Sequence, residues 1–509
     1  MRKTHTRQQG SLTLEILIAL SLLVTALVGA TLVVHGAYQT STSISHAYGE
    51  KSAAHQTLEE LTASLKKDWY TEQPPVHISD NYTLSSYIED ISSCTKKISV
   101  TAQYSADASM PSETLSSFVG SLDEARRRGG TCDPAPLLDT WDTPEILGSV
   151  ALPQGGSTGI ALHAQGTTRY AYVTATSTHV LDADFFVLDV TDVSNPHIVM
   201  SLDTGNGLTG LVRGGEYIYA LNNDNTEQLH VIDVTNPQQP VLIAHSSLPN
   251  LPSTCSATTT PCYAGRSIFY YDGTIYIGTS YIAFGSTPLH HHEFHVFCVS
   301  NTSVAGCSPT NPTWQGSLNV NHHVNDIFVQ GRYAYLATSD TEGEMMIVDI
   351  TDPAHMVHPD DTDTRFNART IAGNESTENG TSVFVLGPYT YLGRERVNNA
   401  LERDFYILDT RTPDDITTVS SMRLGLSTRT AVSDIIVHDS RAFIGTTDVT
   451  HPLLIFDSSD KENPLLQNSC TILSRPIPYL AYADDFLFAM EDGAAVAIIA
   501  DSSSSCTSL

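Results

Sequence analysis

An eight-residue pattern that recurs seven times constrains the fold of this 509-residue chain more than any other feature. Most copies have four or five apolar residues, then an aspartate and a polar turn. The copies are FFVLDVTD (185–192), LHVIDVTN (229–236), FHVFCVSN (294–301), MMIVDITD (345–352), FYILDTRT (405–412), LLIFDSSD (453–460) and AIIADSSS (497–504). Such a short apolar run predicts a buried strand, and its recurrence predicts a repeat architecture.

An aromatic strand precedes each copy, and each repeat begins with a further short apolar strand, such as VNDIFVQG. Several repeats end with a fourth strand, such as NPHIVMSL. The equivalent aromatic residues, spaced by 47, 57, 59, 56, 52 and 45 positions, are Tyr172, Tyr219, Tyr276, Tyr335, Tyr391, Phe443 and Phe488. Four strands in a repeat of about 45–60 residues predict the blade of a β-propeller.

The two ends of the repeat region complement each other. The last repeat ends in ADSSSSCTSL without a fourth strand, whereas TPEILGSV (143–150) precedes the first repeat as an extra copy of that strand. Pairing the two would leave no open edge at the seam. We therefore predict a mainly β fold, with a seven-bladed β-propeller over residues 143–509 closed by a 3+1 strand exchange.

The aspartate after the third strand predicts a turn, because its side chain can accept a hydrogen bond from the backbone downstream. We therefore expect a structural role for five residues: Asp189, Asp233, Asp349, Asp409 and Asp457. Cys298 replaces this aspartate in the third repeat, and we predict that it forms a disulfide with Cys307 as a substitute clamp.

The N-terminus predicts export. Residues 1–10 carry three basic residues and no acid, and residues 16–34 are almost wholly apolar. A helix of about 19 residues is roughly 28 Å long, enough to cross the bilayer core. The basic leader should stay on the cytoplasmic side. Glu15 would cost on the order of 2–3 kcal/mol in a span, so it should have a partner.

The stretch RQQGSLTLEILIALSLL, and roughly residues 7–65 with it, resembles the type IV prepilin signal. The resemblance implies that a prepilin peptidase cuts after Gly10 and that Ser11, where Phe or Met is commoner, becomes a methylated N-terminus. It also implies that Glu15 pairs with the terminal ammonium of a neighbouring subunit. A cleaved secretory signal peptide and a plain membrane anchor are the alternatives. The third-strand windows resemble LVIVD-repeat propellers, a group common on exported and surface proteins.

These features predict four regions. They are a prepilin leader (1–10), a long transmembrane and filament helix (11–69), a small pilin-like α+β connector (70–142) and the propeller (143–509). In the connector, NYTLSSYIED and KKISVTAQYS alternate as strands do, and SETLSSFVGSLDEARRRGG is predicted to be a helix because it has a Ser/Thr start and a glycine stop.

Eight cysteines without a C-x-x-C motif in an exported chain predict disulfides and not a zinc ribbon. Besides Cys298 and Cys307, Cys255–Cys262 would clip the loop entering the third blade. The other four allow Cys94–Cys132 with Cys470–Cys506, or Cys132–Cys506 across the seam.

No catalytic set and no cofactor-binding motif can be assembled from the sequence. A histidine-rich segment offers candidate transition-metal ligands at His290, His291, His292 and His295, although His295 enters a strand and should point away from the others. The acidic loops 358–364 and 222–227 are candidates for Ca²⁺ without the full spacing of a calcium loop. Solvated loops are the alternative in each case, so we assign no resident cofactor.

The formal net charge of −30 argues against nucleic acid as a partner. We expect a pilin-like subunit that passes once through the cytoplasmic membrane and then joins a cell-surface filament, where its propeller meets an unknown extracellular ligand. Other pilin-like subunits and the prepilin peptidase are the expected partners. The alternatives are a sparse minor pilin or adhesin that binds a glycan or protein, and an anchored propeller enzyme with two carboxylates facing each other in the channel.

Overall fold

The computed structural model describes residues 53–65, 78–79, 82–92, 95–104, 113–120, 141–153, 156–176, 182–222, 224, 227–249, 265–281, 292–300, 304, 306–340, 343–356, 379–395, 403–413, 415–427, 430–438, 440–468, 472–493 and 495–501. The chain divides into two compact units, an N-terminal unit within residues 1–120 and a repeat unit made mainly of residues 121–509. Gly10, Ser11, Glu15 and the predicted span lie outside the described residues. Within those residues, no helix is both long and apolar enough to cross a membrane.

The N-terminal unit packs a helix, α1 (53–65), on a four-stranded sheet. The strands, in sheet order, are β1 (Ile78–Ser79), β2 (Tyr82–Ser92), β3 (Thr95–Tyr104) and β4 (Glu113–Gly120). The helix buries one apolar stripe, formed by Ala54, Leu58, Leu61 and Leu65. This spacing of three to four residues is that of an amphipathic helix, and the stripe packs on apolar residues of β2, β3 and β4.

The helix predicted from SETLSSFVGSLDEARRRGG is wrong over its described part, because Glu113–Gly120 is strand β4. It pairs antiparallel with β3, with Lys97 opposite Phe118 and Lys96 opposite Val119. Val119 is buried and Phe118 is 66% exposed, as the alternation of a strand requires. Pairing with β3 overrode the local capping signals, which do not encode this contact.

The repeat unit contains, in its described residues, seven sheets that we number in chain order. Sheet 1 comprises β6 (Ser157–Gln165), β7 (Thr168–Ala175), β8 (Phe185–Asp189) and β9 (His197–Leu202). Sheet 2 comprises β10 (Leu208–Gly214), β11 (Tyr217–Asn222), β12 (Leu229–Asp233) and β13 (Val241–Ser246). Sheet 3 comprises β14 (Gly265–Tyr271), β15 (Thr274–Thr279), β16 (Phe294–Cys298) and β17 (Thr313–Leu318).

The described part of sheet 4 has three strands, β18 (Val324–Gln330), β19 (Tyr333–Thr338) and β20 (Met345–Asp349), followed by a 3-10 turn at Pro353–His355. Sheet 5 comprises β21 (Gly380–Leu386), β22 (Tyr389–Arg394), β23 (Phe405–Asp409) and β24 (Thr417–Met422). Sheet 6 comprises β25 (Val432–His438), β26 (Arg441–Thr446), β27 (Leu453–Asp457) and β28 (Leu465–Asn468). Sheet 7 comprises β29 (Tyr479–Ala483), β30 (Phe486–Glu491), β31 (Ala495–Asp501) and β5 (Pro144–Ala151).

Sheets 1 to 6 are antiparallel meanders, because their strands pair in chain order. The first and second strands of all seven sheets are joined by two residues. These turns contain residues with positive φ, such as Asp272 (43°) with Gly273 (74°) and Asp484 (51°) with Asp485 (65°). Two-residue turns with this left-handed backbone match the twist of antiparallel strands. One end of the sheets therefore carries seven two-residue connections.

The first strands contact one another in the cyclic order β6, β10, β14, β18, β21, β25, β29 and back to β6. Apolar clusters fill the spaces between neighbouring sheets; one of them joins Phe488 and Ile498 of sheet 7 to Ala171 and Phe186 of sheet 1. The seven aromatic residues predicted to be equivalent all lie in second strands and are at most 6% exposed. The chain is thus mainly β, with its core between the sheets.

The predicted pairing of the two ends of the repeat region is confirmed. Strand β5 pairs antiparallel with β31, in a register that runs from Asp501 opposite Pro144 to Ala495 opposite Ala151. The strand that precedes the first repeat is therefore the fourth strand of sheet 7. This exchange covers the edge that β31 would otherwise expose.

The predicted role of the turn aspartates is confirmed. In each of these five repeats the aspartate Oδ1 atom accepts a hydrogen bond from the backbone N–H two residues later, at 2.8–3.0 Å. The donor and acceptor pairs are Thr191–Asp189, Thr235–Asp233, Thr351–Asp349, Arg411–Asp409 and Ser459–Asp457.

In the third repeat, Cys298 and Cys307 form the predicted disulfide, with Cα atoms 5.7 Å apart. The other cysteines, Cys94, Cys132, Cys255, Cys262, Cys470 and Cys506, lie outside the described residues, so their pairing stays a prediction.

Candidate functional site: the central channel and its mouth

Two members of the candidate metal site, His292 and His295, lie within the described residues. His292 is half-buried, and its Nδ1 lies 2.6 Å from Ser317 Oγ. His295 is a fully buried residue of β16, and burial lowers its pKa to about 3. In the described part of the chain, no three residues of the types that bind metals come together. His290, His291 and loop 358–364 lie outside the described residues, so metal binding there remains a prediction.

Glu293, which lies between His292 and His295 in the sequence, is a structural clamp. It is fully buried, and its Oε2 accepts hydrogen bonds from the backbone N–H groups of Val320 (2.8 Å) and Asn321 (3.0 Å). Burial raises the pKa of this carboxyl group to about 7. The bonds tie the start of the third strand to the segment that leads from sheet 3 to sheet 4.

The same clamp recurs in other sheets, and the sequence analysis missed it. The residue immediately before the third strand accepts a hydrogen bond from a backbone N–H twenty residues later in three more repeats. The pairs are Asp184 with Thr204 (2.9 Å), Gln228 with Leu248 (2.9 Å) and Asp404 with Leu424 (3.0 Å). In the sequence, these clamps are marked by a polar residue directly before an apolar window. That pattern by itself suggests only the end of a loop.

The first strands of all seven sheets line a central channel with a cavity of about 460 Å³. A belt of hydrogen bonds runs around it, in which a side chain of one first strand donates to a backbone carbonyl at or just before the next first strand. The bonds are Thr158 to Leu208 (2.8 Å), Ser267 to Val324 (3.1 Å), Asn325 to Gly380 (2.7 Å), Thr381 to Val432 (2.6 Å) and Ser433 to Ile477. These bonds join five of the seven pairs of neighbouring sheets at the axis.

Two carboxylates, Asp326 in β18 and Asp434 in β25, also line the channel. Asp326 accepts from Ile327 N–H (2.8 Å) and, across the sheet boundary, from Val383 N–H (2.8 Å). Asp434 accepts in the same way from the N–H groups of Ile435 (2.8 Å) and Leu480 (2.6 Å). One oxygen of each carboxylate therefore bonds within its own strand, and the other holds one sheet to the next.

Burial raises the pKa of Asp326 to about 6. Burial raises the pKa of Asp434 well above its ordinary value, and the charge of Asp326 raises it further. Both side chains are half-buried where the first strands converge, and burial disfavours the charged form of a carboxyl group. Two carboxylates in the channel are the feature that the enzyme alternative requires, and each of them also forms a hydrogen bond that holds one sheet to the next.

A larger cavity of about 870 Å³, which we call the mouth cavity, opens where the first strands meet their two-residue turns. It lies mainly between sheets 1 and 7, and Arg213 of sheet 2 also lines it. The mouth cavity and the channel cavity share four apolar side chains, Ile160, Phe269, Ile436 and Leu480. We call these four residues the apolar collar, since they separate the polar channel from the mouth.

The polar groups of the mouth cavity are few. Arg169 forms an ion pair with Asp484 of the β29–β30 turn. His163 Nδ1 lies 2.8 Å from the hydroxyl of Tyr172. Burial, and then the positive charge of Arg213, lowers the pKa of His163 to about 4, so its ring is neutral at pH 7. Two guanidinium groups, a carboxylate and a neutral imidazole can bind a ligand through charge and hydrogen bonds.

One family model matches two segments of the repeat unit. The family model described as the LVIVD repeat matches residues 213–246 and 322–364, and no curated protein sequence matches the chain. Among solved structures, the chain is similar to the computationally designed Ika8 protein, with 11% identity, a TM-score of 0.44, and coverage of 69% of this chain and 99% of that one.

BamB from Moraxella catarrhalis is similar at 10% identity and a TM-score of 0.41, covering 71% of this chain and 98% of that one. The WD40 domain of Neurospora crassa Pan2 is similar at 10% identity and a TM-score of 0.43, covering 74% and 99%. The LVIVD-repeat match and the series of four-stranded antiparallel sheets identify this chain as a β-propeller repeat protein.

Proposed function

We propose that this protein is a cell-surface interaction protein in which a pilin-like helix builds a filament and a seven-bladed propeller, closed by 3+1 strand exchange, is displayed for binding. Before assembly the chain passes once through the cytoplasmic membrane. The prepilin peptidase and other pilin-like subunits are its partners during maturation, and we assign it no enzymatic activity.

The N-terminal unit supports the filament part of the proposal. Helix α1 (53–65) falls within the predicted helix 11–69 and packs its apolar stripe on a four-stranded sheet. A long helix whose C-terminal part is held by a small sheet, and whose N-terminal part is apolar, can be buried among copies of itself without unfolding the rest of the chain. The prepilin-like leader and Glu15 add the processing and pairing features.

The repeat unit supports the interaction part. Its seven sheets contact one another cyclically, and the β5–β31 pairing closes the seam. Closure leaves a rigid body with a preformed cavity at its axis, and rigid scaffolds with preformed cavities bind ligands at a low entropic cost.

The observation that carries the proposal is the division of the chain into a helix-bearing unit and a separate repeat unit. The first has the features of an assembly element, and the second has the features of a binding element. A protein that only bound a ligand would have no need of the first, and one that only built a fibre would have no need of the second.

A second candidate is a minor subunit or adhesin, sparse in the filament, that binds a glycan or a protein. The mouth cavity favours this alternative, because its volume of about 870 Å³ suits a specific ligand. The proportion of the protein in purified filaments separates the two: a bulk component indicates a main building subunit, and a trace component indicates an adhesin.

Mass spectrometry of material sheared from the cell surface tests the proposal. We expect a mature chain that begins at N-methylated Ser11 and sediments with filaments. A Gly10→Val variant, which blocks cleavage, should leave the full-length chain in the cytoplasmic membrane. A mature chain found freely dissolved, with its first 35 or so residues removed, would contradict the filament role and leave only the interaction role.

A further inference from the structure

One position of the first strand gives the repeat unit a filled side and an open side. It is the residue that pairs with the repeated aromatic residue of the second strand. In sheets 3, 4 and 5 this residue is Phe269, Phe328 or Phe384, whereas in the neighbouring sheets 1 and 7 it is Ala161 or Ala481. Both alanines line the mouth cavity, so the cavity lies where the large side chain is missing.

The three phenylalanines form a continuous row of rings. The ring of Phe328 lies 4.9 Å from that of Phe269 and 4.8 Å from that of Phe384. Phe269 is the member of this row that lines the mouth cavity, and its side chain is half-buried. In the cyclic order of the sheets, the two alanines lie across the axis from the row. The cavity therefore has room for a further ring, of the kind that sheets 3 to 5 supply from their own strands.

The rest of the lining suits an apolar ring. Ile160, Ile436 and Leu480 of the apolar collar contribute to it, and the half-buried ring of Phe486 lies beside them. The cavity volume falls within the range of about 300–1,000 Å³ that is usual for small-molecule sites. Aromatic rings also gain from offset-stacked or edge-to-face contacts, in addition to the burial of their surface. An aromatic body is therefore favoured over a purely polar one.

The charges in and around the mouth cavity compensate one another. Arg169 forms its ion pair with Asp484. Burial raises the pKa of Tyr172, and the charges of Arg213 and Glu216 act on this hydroxyl group in opposite directions. An ionised ligand would lose hydration in a mainly apolar cavity where each cation already has an anion close to it. The site therefore favours a ligand without net charge, and the Arg169–Asp484 pair offers donors and an acceptor to a polar group on its edge.

We propose that the mouth cavity binds an uncharged aromatic ring compound, with its ring between Phe269 and the two alanines, Ala161 and Ala481. The ligand takes the place at the axis that a phenylalanine side chain takes in sheets 3 to 5. The inference deepens the proposed interaction role by naming the class of ligand. It rests on the propeller part of that proposal and not on the filament part.

Photolabelling of the full chain in isolated membranes tests the inference without detergent. The probe is 5-azidoindole, a flat and uncharged ring compound that bonds to neighbouring residues on illumination, and its anionic counterpart is 5-azidoindole-3-acetate. We expect 5-azidoindole to label β6 and β29 saturably, at a lower half-saturating concentration than the anionic probe needs. Excess indole should compete for the same positions, and excess galactose should not.

Variants that fill or widen the cavity locate the site. Ala161→Phe and Ala481→Phe each supply the side chain that sheets 3 to 5 carry at this position, so each should raise the half-saturating concentration of 5-azidoindole about tenfold or more. Phe486→Ala removes one apolar wall without adding bulk and should raise it about threefold. Val212→Phe makes the same change at the same position of sheet 2, where the residue is half-buried but does not line the mouth cavity, and is the matched control.

The inference is overturned if Ala161→Phe and Ala481→Phe label like the wild type, if Val212→Phe loses as much labelling as they do, or if labelling is absent or scattered over the chain. It is also overturned if the anionic probe binds as well as the neutral one, or if galactose competes, since the site would then take an anion or a sugar. Filament yield, measured in the same cells, reports on the proposed assembly role separately, so absence of labelling with normal filaments rejects only the ligand site.

Discussion

The carboxylate of Asp501 accepts a hydrogen bond from the backbone N–H of Trp141, 360 residues earlier in the sequence, with the two atoms 2.7 Å apart. Its other oxygen accepts from the N–H of Thr143 at 3.1 Å. Asp501 occupies the position of the turn aspartates in the seventh repeat, but it holds the segment that leads into β5. Trp141 is fully buried, with its ring 4.8 Å from that of Phe443. In the seventh repeat, the aspartate therefore holds the two ends of the repeat unit together.

Replacement of Asp501 by alanine should weaken the contact between the two ends of the repeat unit. Asp501→Ala leaves the N–H groups of Trp141 and Thr143 without their acceptor, so we expect the free energy of unfolding to fall by about 2–3 kcal/mol. Hydrogen exchange should also become faster in β5 (144–151). Asp189→Ala, which removes one hydrogen bond in an exposed turn, is the control and should cost about 1 kcal/mol or less. Equal effects of the two variants, measured by urea denaturation, would show that Asp501 contributes no more to stability than an ordinary turn aspartate.

The third repeat offers a test of whether disulfide and aspartate are alternative turn clamps. Removing the Cys298–Cys307 bond, which spans nine residues of sequence, by Cys298→Ser with Cys307→Ser should lower the free energy of unfolding by about 2–3 kcal/mol. Cys298→Asp with Cys307→Ser restores the side chain that the other repeats use, so it should regain about 1 kcal/mol. Urea denaturation of both double variants measures the difference. If the aspartate variant is no more stable than the serine variant, the two clamps are not interchangeable.

Much of the repeat unit was predictable because its signals are local and repeated. The apolar windows, the turn aspartates and the extra strand at 143–150 are each visible within ten residues. The structure agrees with the predictions made from them. The Cys298–Cys307 disulfide was predictable for the same reason, since it replaces an aspartate at a fixed position in the repeat.

The remaining features depend on contacts between distant segments. Segment 113–120 lies in a stretch with helix-capping signals, but its pairing with β3 made it a strand. The belt, the channel carboxylates Asp326 and Asp434, and the mouth cavity form where different sheets meet. Sequence periodicity locates a residue on its own strand, but it does not show which residues of other strands it will face.

The charge pair proposed for assembly predicts a specific defect. Glu15→Ala removes the carboxylate that, by the prepilin resemblance, pairs with the terminal ammonium of a neighbouring copy. We expect the variant to be made, inserted and cleaved normally but recovered in sheared filaments at less than about a tenth of the wild-type yield. Glu50→Ala, outside the apolar run, is the matched control and should assemble normally. A normal yield from Glu15→Ala would count against the pair.

A buried ion pair joins sheets 4 and 5. Glu344 and Arg394 are both fully buried, with Oε1 and Nη2 2.7 Å apart, and Arg394 also donates to the Tyr406 hydroxyl at 3.0 Å. Glu344→Ala should lower the free energy of unfolding by about 3–5 kcal/mol, because it leaves a buried cation without its counter-ion. Replacing both residues by methionine should cost less than the single change. Arg332→Gln, at an exposed ion pair, should cost less than about 1 kcal/mol. A double variant less stable than Glu344→Ala would contradict this account.

The channel carboxylates predict the sign of a pH effect. The pKa of Asp326 rises from 3.8 to about 6 in the folded state, so its contribution to stability is complete below about pH 4 and is lost as pH rises through 6. His163 and His230, whose pKa values fall to about 4, change stability with pH in the opposite direction over an overlapping range, so the wild-type profile alone does not isolate the effect of Asp326.

We therefore expect Asp326→Asn, compared with wild type by urea denaturation at pH 5, 6 and 7, to lose less stability between pH 5 and 7. Ser433→Ala removes a bond of the belt without removing a titrating group, so it should keep the wild-type slope. Parallel profiles for Asp326→Asn and wild type would mean that the carboxyl group stays ionised in the channel throughout this range.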